Sequence, residues 1–237
     1  MDTNQSFRGW RIAVTGGTSG LGLALVDALQ AAGAKVAFIA RDAHRVSAVQ
    51  LRRPGTHGIA GDVADKDSVH AIAMQVTGAL GGLDLLVHCA STLGPVPLAP
   101  LADTECEDFE AALTTNVLGP FRLTQALLGT LAASAREGRT PVVVNISSDA
   151  AVNAYAGWGA YGASKAAVAH MSRIWDEELQ EHGIRVIAHD PGDMDTPMHA
   201  LAVPDADRSQ LKRPEQSAGE LLARITAFVA SPQEVAA

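Results

Sequence analysis

Short, uniformly apolar runs alternate with longer amphipathic ones along most of this chain. Ile12 to Thr15 reads as a first strand and Gly20 to Ala32 as a helix. Lys35 to Ala40 is a second strand, followed by a helical stretch over Ala43 to Leu51. His57 to Gly61 is a short third strand, Asp67 to Leu80 is helical, and Leu83 to Cys89 is a fourth strand. A long helical region runs from Thr104 to Ala135, where Gly119-Pro120 predicts a bend because proline lacks a backbone donor. Val142 to Ser147 is a fifth strand, Gly159 to His182 a second long helix, and Ile184 to His189 a sixth strand. Strands that are apolar at every position are buried on both faces, as in parallel sheets covered by helices. Right-handed crossovers then predict an α/β fold, a Rossmann-type doubly wound parallel sheet in the order 3-2-1-4-5-6 with helices on both faces. No repeat, low-complexity tract or linker is visible, so residues 1–237 are expected to form a single dinucleotide-binding domain. The segment from Pro191 to Pro214 lacks clear periodicity and predicts a substrate loop or lid. Glu215 to Ala230 is helical, and only Ser-Pro-Gln-Glu-Val-Ala-Ala follows, so no seventh strand is expected.

Composition narrows the function classes. With 237 residues the chain is ample for a large core, and 47% hydrophobic but only 4% aromatic residues predict one built from Ala, Val, Leu and Ile. A net charge of −8 with no basic run argues against nucleic acid as a partner. Cys89 and Cys106 show neither metal-ligand nor disulfide-framework spacing, which suits a reduced, cytoplasmic protein. Residues 1–10 are polar, so no signal peptide is expected. No apolar run approaches the roughly 20 residues of a membrane span, so no membrane partner is expected.

The stretch Thr15-Gly16-Gly17-Thr18-Ser19-Gly20-Leu21-Gly22 follows the first strand and opens the first helix. Glycines at 16, 20 and 22 allow a tight turn and close backbone approach to a ligand. The helix N-terminus then offers free N–H groups and a positive dipole end to a pyrophosphate. An ordinary strand-to-helix turn carries such glycines too, but placement on strand one of a βαβ unit favours a dinucleotide. An NAD site usually has an acid at the end of strand two to bind the ribose 2′-OH. Here Ala40 stands there, followed by Arg41, whose planar guanidinium suits a 2′-phosphate. Thr18 and Ser19 add hydroxyl donors. NADP(H) is therefore expected over NAD(H), with Asp42 as a blemish that partly repels a phosphate. Asp62, at the end of strand three, is placed to accept from an adenine amino group with Val63 packing nearby, or else to cap the helix that follows.

Tyr161 and Lys165 are spaced by one helical turn and share a face. A lysine charge there favours the phenolate and draws the tyrosine pKa down from about 10 toward neutrality. Ser148, at the end of the preceding strand, is placed to hold a carbonyl or alcohol oxygen. The trio is equipped to move a proton on and off an oxygen.

These motifs together resemble those of the short-chain dehydrogenase/reductase family over about residues 8 to 230. The matching elements are Thr15-Gly-x-x-x-Gly20-x-Gly22, Asp62-Val63, Asn116, Asn145-Ile-Ser-Ser148, Tyr161-x-x-x-Lys165, and Pro191-Gly192 with Thr196. The resemblance implies a tetrad. Tyr161 acts as acid in reduction and base in oxidation, and Lys165 lowers its pKa and binds the nicotinamide ribose. Ser148 holds the substrate oxygen, and Asn116 anchors a water that relays protons from Lys165. It also implies cofactor contacts at Leu21, Ala90, Pro191, Gly192, Met194 and Thr196, beside those already named. Two departures stand out. His88-Cys89-Ala90-Ser91 replaces the family's Asn-Asn-Ala-Gly, which puts local sheet bonding in question. The missing seventh strand removes a tetramer interface, so a homodimer through the two long helices is expected, with a tetramer as the alternative.

Substrate-pocket candidates are Ala90 to Val96, Asp149 to Trp158 and the loop after Pro191. They offer Ser148, Asp149, Asn153, Tyr155, Trp158, Met194 and His199. Asp190, Asp193 and Asp195 with His189 and His199 superficially suggest a metal, but Pro-Gly occupies a cofactor position there, so no metal is expected. Gly192 to Met198 with Gly157-Trp158 is loosely similar to sepiapterin reductases, a lead toward a pteridine or other aromatic ketone. The leading expectation is a carbonyl reductase acting on a small ketone or aldehyde. A non-catalytic NADP(H)-binding regulator would be favoured by a degraded tetrad, and this one is complete. An epimerase or dehydratase of the extended family is disfavoured by the glycine spacing and short C-terminus.

Overall fold

The computed structural model describes residues 7–230. The readings of no signal peptide and no seventh strand fall in part or whole on residues 1–6 and 231–237, outside the described residues. Six parallel strands form one sheet: β1 (Arg11–Thr15), β2 (Lys35–Ala40), β3 (His57–Ala60), β4 (Leu85–His88), β5 (Val142–Ile146) and β6 (Arg185–His189). Their order is β3-β2-β1-β4-β5-β6, as the apolar runs predict.

Eight α-helices cover the two faces among the described residues: α1 (Gly20–Ala31), α2 (Ala43–Arg52), α3 (Val69–Leu80), α4 (Cys106–Leu113), α5 (Gly119–Arg136), α6 (Gly159–Leu179), α7 (Pro197–Ala202) and α8 (Pro214–Ala230). Successive strand residues point to opposite faces, so each strand feeds two cores. Ile12, Val14, Phe38, Leu85, Val87 and Val144 meet Leu25 and Leu29 of α1 and Leu221 and Ile225 of α8 on one face. Ala13, Ile39, Leu86 and Val143 meet Ile72 and Val76 of α3 and Leu123 and Leu127 of α5 on the other. Burying each such Leu or Ile side chain contributes about 1.5–3 kcal/mol.

The long helical region differs from the expected single bent helix. A wide π turn, Thr114–Leu118, separates α4 from α5. Gly119 N–H donates back to Thr114 O, five residues earlier. Pro120 has no N–H for Asn116 O, so the normal four-residue ladder cannot continue there. The bend predicted at Gly119-Pro120 is thus a widened turn just before it. The expected helix from Asp67 begins at Val69, and the helix expected to reach His182 ends in a tight 3₁₀ turn at Gln180–His182. The segment 191–214 is not featureless. It holds α7 and a 3₁₀ turn at Arg208–Gln210, and it folds back on itself through a bridge between Met194 and Lys212. Thr196 caps α7 by accepting from His199 N, with Pro197 in its first turn. That Thr-Pro start signal was legible, but six residues are too few to show a helical period.

Candidate active site

The carboxyl ends of the strands converge where the strand order reverses, between β1 and β4, which is where doubly wound sheets bind ligands. Gly16 sits at φ 69° after β1, and a Cβ on it would lie 2.9 Å from Ala90 N beyond β4. A Cβ on Gly22 would lie 2.4 Å from Gly16 O, and one on Gly17 would strike Phe38 at 2.5 Å. The turn therefore admits no side chains at these positions. Ser19 precedes α1 without a side-chain cap bond, leaving the N–H groups of the first turn to a ligand.

A cavity of about 720 Å³ runs from this turn to Tyr161. Gly16, Thr18, Ser19, Gly20, Leu21, Gly22, Arg41, Asp62, Val63, Ala90, Pro191, Gly192, Met194 and Thr196 all line it, as do Ser148, Tyr161 and Lys165. So do Asp149, Tyr155, Trp158 and His199. Asn116 does not, and neither does Asn153.

At one end, Arg41 lies exposed on the cavity wall with no hydrogen-bond or ion-pair partner among the described residues. Asp42, expected to repel a phosphate in part, also has a structural use. Its carboxylate caps α2, accepting from His44 N at 2.9 Å and Arg45 N at 3.1 Å, and Arg45 Nε lies 3.7 Å away. Those donors hold the carboxyl below its ordinary pKa and offset its charge. Arg45 itself lines the cavity. It went unremarked in the sequence, because a polar first turn of α2 does not show which face meets the cavity. Asp62 caps no helix, because α3 starts only at Val69. Its Oδ1 accepts from Ala64 N at 2.9 Å within a turn, and its main-chain oxygen accepts from Ser68 Oγ.

At the other end, Lys165 is buried and donates from Nζ to Ile146 O at 2.7 Å. Its Nζ is 5.4 Å from the centre of the Tyr161 ring. Burial lowers the lysine to about 8. Tyr161 moves opposite to the expectation. Burial pushes its hydroxyl up to about 12, and the charges of Asp190, Asp149 and Asp193 push the same way, while Ser148 opposes them. Asp190 and Asp193 follow β6, far from Tyr161 in sequence, so no local pattern announces them. Trp158 packs edge-on against Tyr161 with ring centres 5.7 Å apart.

Asn116 is expected to anchor a relay water by atoms the sequence does not specify, and its side chain is hydrogen-bonded within the protein. Its Nδ2 donates to Thr92 O at 2.8 Å and to Ser164 Oγ at 2.8 Å. Its Oδ1 accepts from Ser91 Oγ at 3.0 Å and Thr92 N at 2.9 Å. All four polar positions of the side chain are therefore spent on structure. The main-chain oxygen of Asn116 loses the usual donor four residues on, because Pro120 has no N–H.

His88 is buried, pairs through Nε2 with Thr124 Oγ1 at 2.9 Å, and is lowered to about 3 by desolvation. It stays neutral and ties β4 to α5 through Thr124, rather than replacing a strand-to-strand side-chain bond. Cys89 is half-buried on the cavity wall, and burial pushes its thiol up to about 12. The acids around Pro191-Gly192 are spent locally: Asp190 accepts from Gly192 N, and Asp195 pairs with Arg208 at 2.8 Å. Among the described residues no group of three His, Cys, Asp or Glu is placed to hold a metal. Among them, too, no helix is long and apolar enough to cross a membrane. Leu93, Thr115, Asp193, Met198 and Val203 also line the cavity. They come from loops, the π turn and the short α7, where no period marks them in sequence.

Comparison with known proteins agrees with this geometry. L-xylulose reductase of Bos taurus is 29% identical over 202 residues, covering 85% of this chain and 79% of its own. 3-Hydroxyacyl-CoA dehydrogenase type-2 of Drosophila melanogaster is 32% identical over 207 residues, covering 84% and 80%. A short chain dehydrogenase of Shigella flexneri, solved in complex with NADP, superposes with a TM-score of 0.83 at 25% identity over 97% of this chain and 94% of its own. The family model of the short chain dehydrogenases matches residues 11–207. The chain therefore belongs to the short chain dehydrogenase family of oxidoreductases.

Proposed function

We propose that this protein is an NADP(H)-dependent oxidoreductase that interconverts a small-molecule ketone or aldehyde and its alcohol, with residues 1–237 acting as one domain and 191–214 as its substrate loop. One observation carries the reading: a single cavity joins a side-chain-free turn flanked by Arg41 and Arg45 to a wall bearing Ser148, Tyr161 and Lys165. The residues fit a nicotinamide dinucleotide, because the turn has no room for a Cβ at Gly16, Gly17 or Gly22 and leaves the α1 N-terminus open. Gly16 to Gly22 would hold the pyrophosphate, Arg41 and Arg45 a 2′-phosphate, Asp62 and Val63 the adenine, and Ala90, Pro191, Gly192, Met194 and Thr196 the nicotinamide side. The NADP bound by the Shigella flexneri relative favours the same choice of cofactor.

When bound, the cofactor supplies or accepts a hydride at the substrate carbon. The chain's own residues manage the oxygen. Tyr161, protonated at neutral pH, donates its phenolic proton to a carbonyl oxygen as negative charge develops there. Ser148 orients that oxygen. Lys165, held by Ile146 O, would bind the nicotinamide ribose and brings a positive charge to the phenol. Lys165 would return the proton, with Asn116 anchoring a water in the relay. Trp158 and Tyr155 line the substrate end and favour a flat or aromatic ketone, in line with the sepiapterin-like lead. Two chains pair through α5 and α6, where Ile174 is 45% exposed.

The test is consumption of NADPH against a carbonyl panel rich in aromatic ketones and pteridines, with NADPH and NADH titrated by fluorescence. Turnover with tighter NADPH binding supports the reading. No turnover with intact NADPH binding would instead favour a regulatory NADP(H)-binding protein.

A further inference from the structure

Ser91 stands where the family's Asn-Asn-Ala-Gly motif has glycine, and it lines the cavity that Asn116 does not reach. Its Oγ bonds Asn116 Oδ1 at 3.0 Å. Main-chain groups fix the direction of that bond. Asn116 Nδ2 donates to Thr92 O, which can only accept, and Asn116 Oδ1 accepts from Thr92 N, which can only donate. The amide therefore turns its oxygen to Ser91, and Ser91 must donate. Its one proton is spent on Asn116, so only lone pairs remain for another partner.

The place of Ser91 is set from both sides. Ala90 N donates to Thr15 Oγ1 at 3.1 Å, and a Cβ on Gly16 would lie 2.9 Å from that nitrogen. The chain before Ser91 thus abuts the phosphate turn. The chain after it is held by Asn116 through Thr92. Cys89, two residues back, is near enough to Lys165 for the lysine charge to act on its thiol. Ser91 belongs to the stretch of wall that runs from the turn toward Lys165.

We propose that Ser91 is a cofactor-binding residue whose Oγ accepts a hydrogen bond from a hydroxyl of the nicotinamide ribose. This deepens the dinucleotide reading and rests on it. Lys165 supplies the complementary half. Its ammonium can only donate, and one of its protons is on Ile146 O. A ribose hydroxyl that accepts from Lys165 has its own proton to place, and an acceptor-only Ser91 takes it.

Affinity is the readout, measured by fluorescence titration of the full chain without substrate. Ser91→Ala should weaken NADPH about fivefold. Adenosine 2′,5′-bisphosphate, which lacks the nicotinamide ribose, should stay within about twofold. Ser91→Gly, the family's own residue, gives a second variant with the same expected loss. NADPH stripped of both hydroxyls on its nicotinamide ribose separates a contact from a shifted loop, because Ser91→Ala should change its affinity by no more than about twofold. No loss for NADPH would overturn the proposal, and so would an equal loss for the stripped analogue or the bisphosphate. NADH carries the same ribose. Tighter NADH binding would overturn the choice of cofactor alone, and the same comparison with NADH would then decide Ser91. If the parent protein bound neither cofactor, both readings would fall.

Discussion

Lys165 donates its ammonium proton to the main-chain oxygen of Ile146 at 2.7 Å, and that bond anchors the lysine beneath Tyr161. The anchor holds a charge out of water, and the cost shows as a pKa lowered from 10.5 to about 8. Between those values the unfolded chain binds the extra proton. Stability on this account is depressed below pH 8 and rises as pH climbs from about 8 toward 10.5. In a Cys89→Ala background, which removes a thiol raised from 9.0 to about 12 that would offset part of the effect, denaturant unfolding should show a gain of about 1.5 kcal/mol between pH 8 and 9.5, and Lys165→Met should abolish it. Tyr161 acts the other way only at higher pH. Its folded pKa is raised from 10.0 to about 12, so its contribution is lost as pH rises through that range.

Asn116 should matter to folding before it matters to chemistry. Asn116→Ala takes the side-chain partner from Thr92 N, Thr92 O and the Ser91 hydroxyl, and one of two from Ser164 Oγ, in a region where Asn116 is 2% exposed. The expected loss is roughly 3 kcal/mol, read as a lower denaturation midpoint.

Arg41 and Arg45 should discriminate between cofactors. Removing both, as Arg41→Ala with Arg45→Ala, should weaken NADPH about tenfold or more and leave NADH within about twofold, since only the former carries the 2′-phosphate. Equal losses for both, in a fluorescence titration, would refute the assignment.

The sheet was legible because its strands are apolar at nearly every position, and strand order follows from crossovers between them. The glycine turn and the Tyr161-Lys165 spacing were legible because local geometry dictates them. Four features were not. The cap made by Asp42, the structural use of the Asn116 side chain and the raised pKa of Tyr161 all depend on neighbours that folding supplies. Asp190 and Asp193, for example, reach Tyr161 from beyond β6. Arg45 was missed for another reason: its role rests on which face of α2 meets the cavity, and a polar helix turn gives no sign of that.

The central claim is that Tyr161 delivers the proton in a carbonyl reduction driven by NADPH. Tyr161→Phe removes one oxygen and leaves the ring against Trp158. With the most rapidly reduced carbonyl of the panel, kcat should fall about 100-fold or more, while the Kd for NADPH stays within about twofold. Retained turnover, or loss of NADPH binding in its place, would contradict the account.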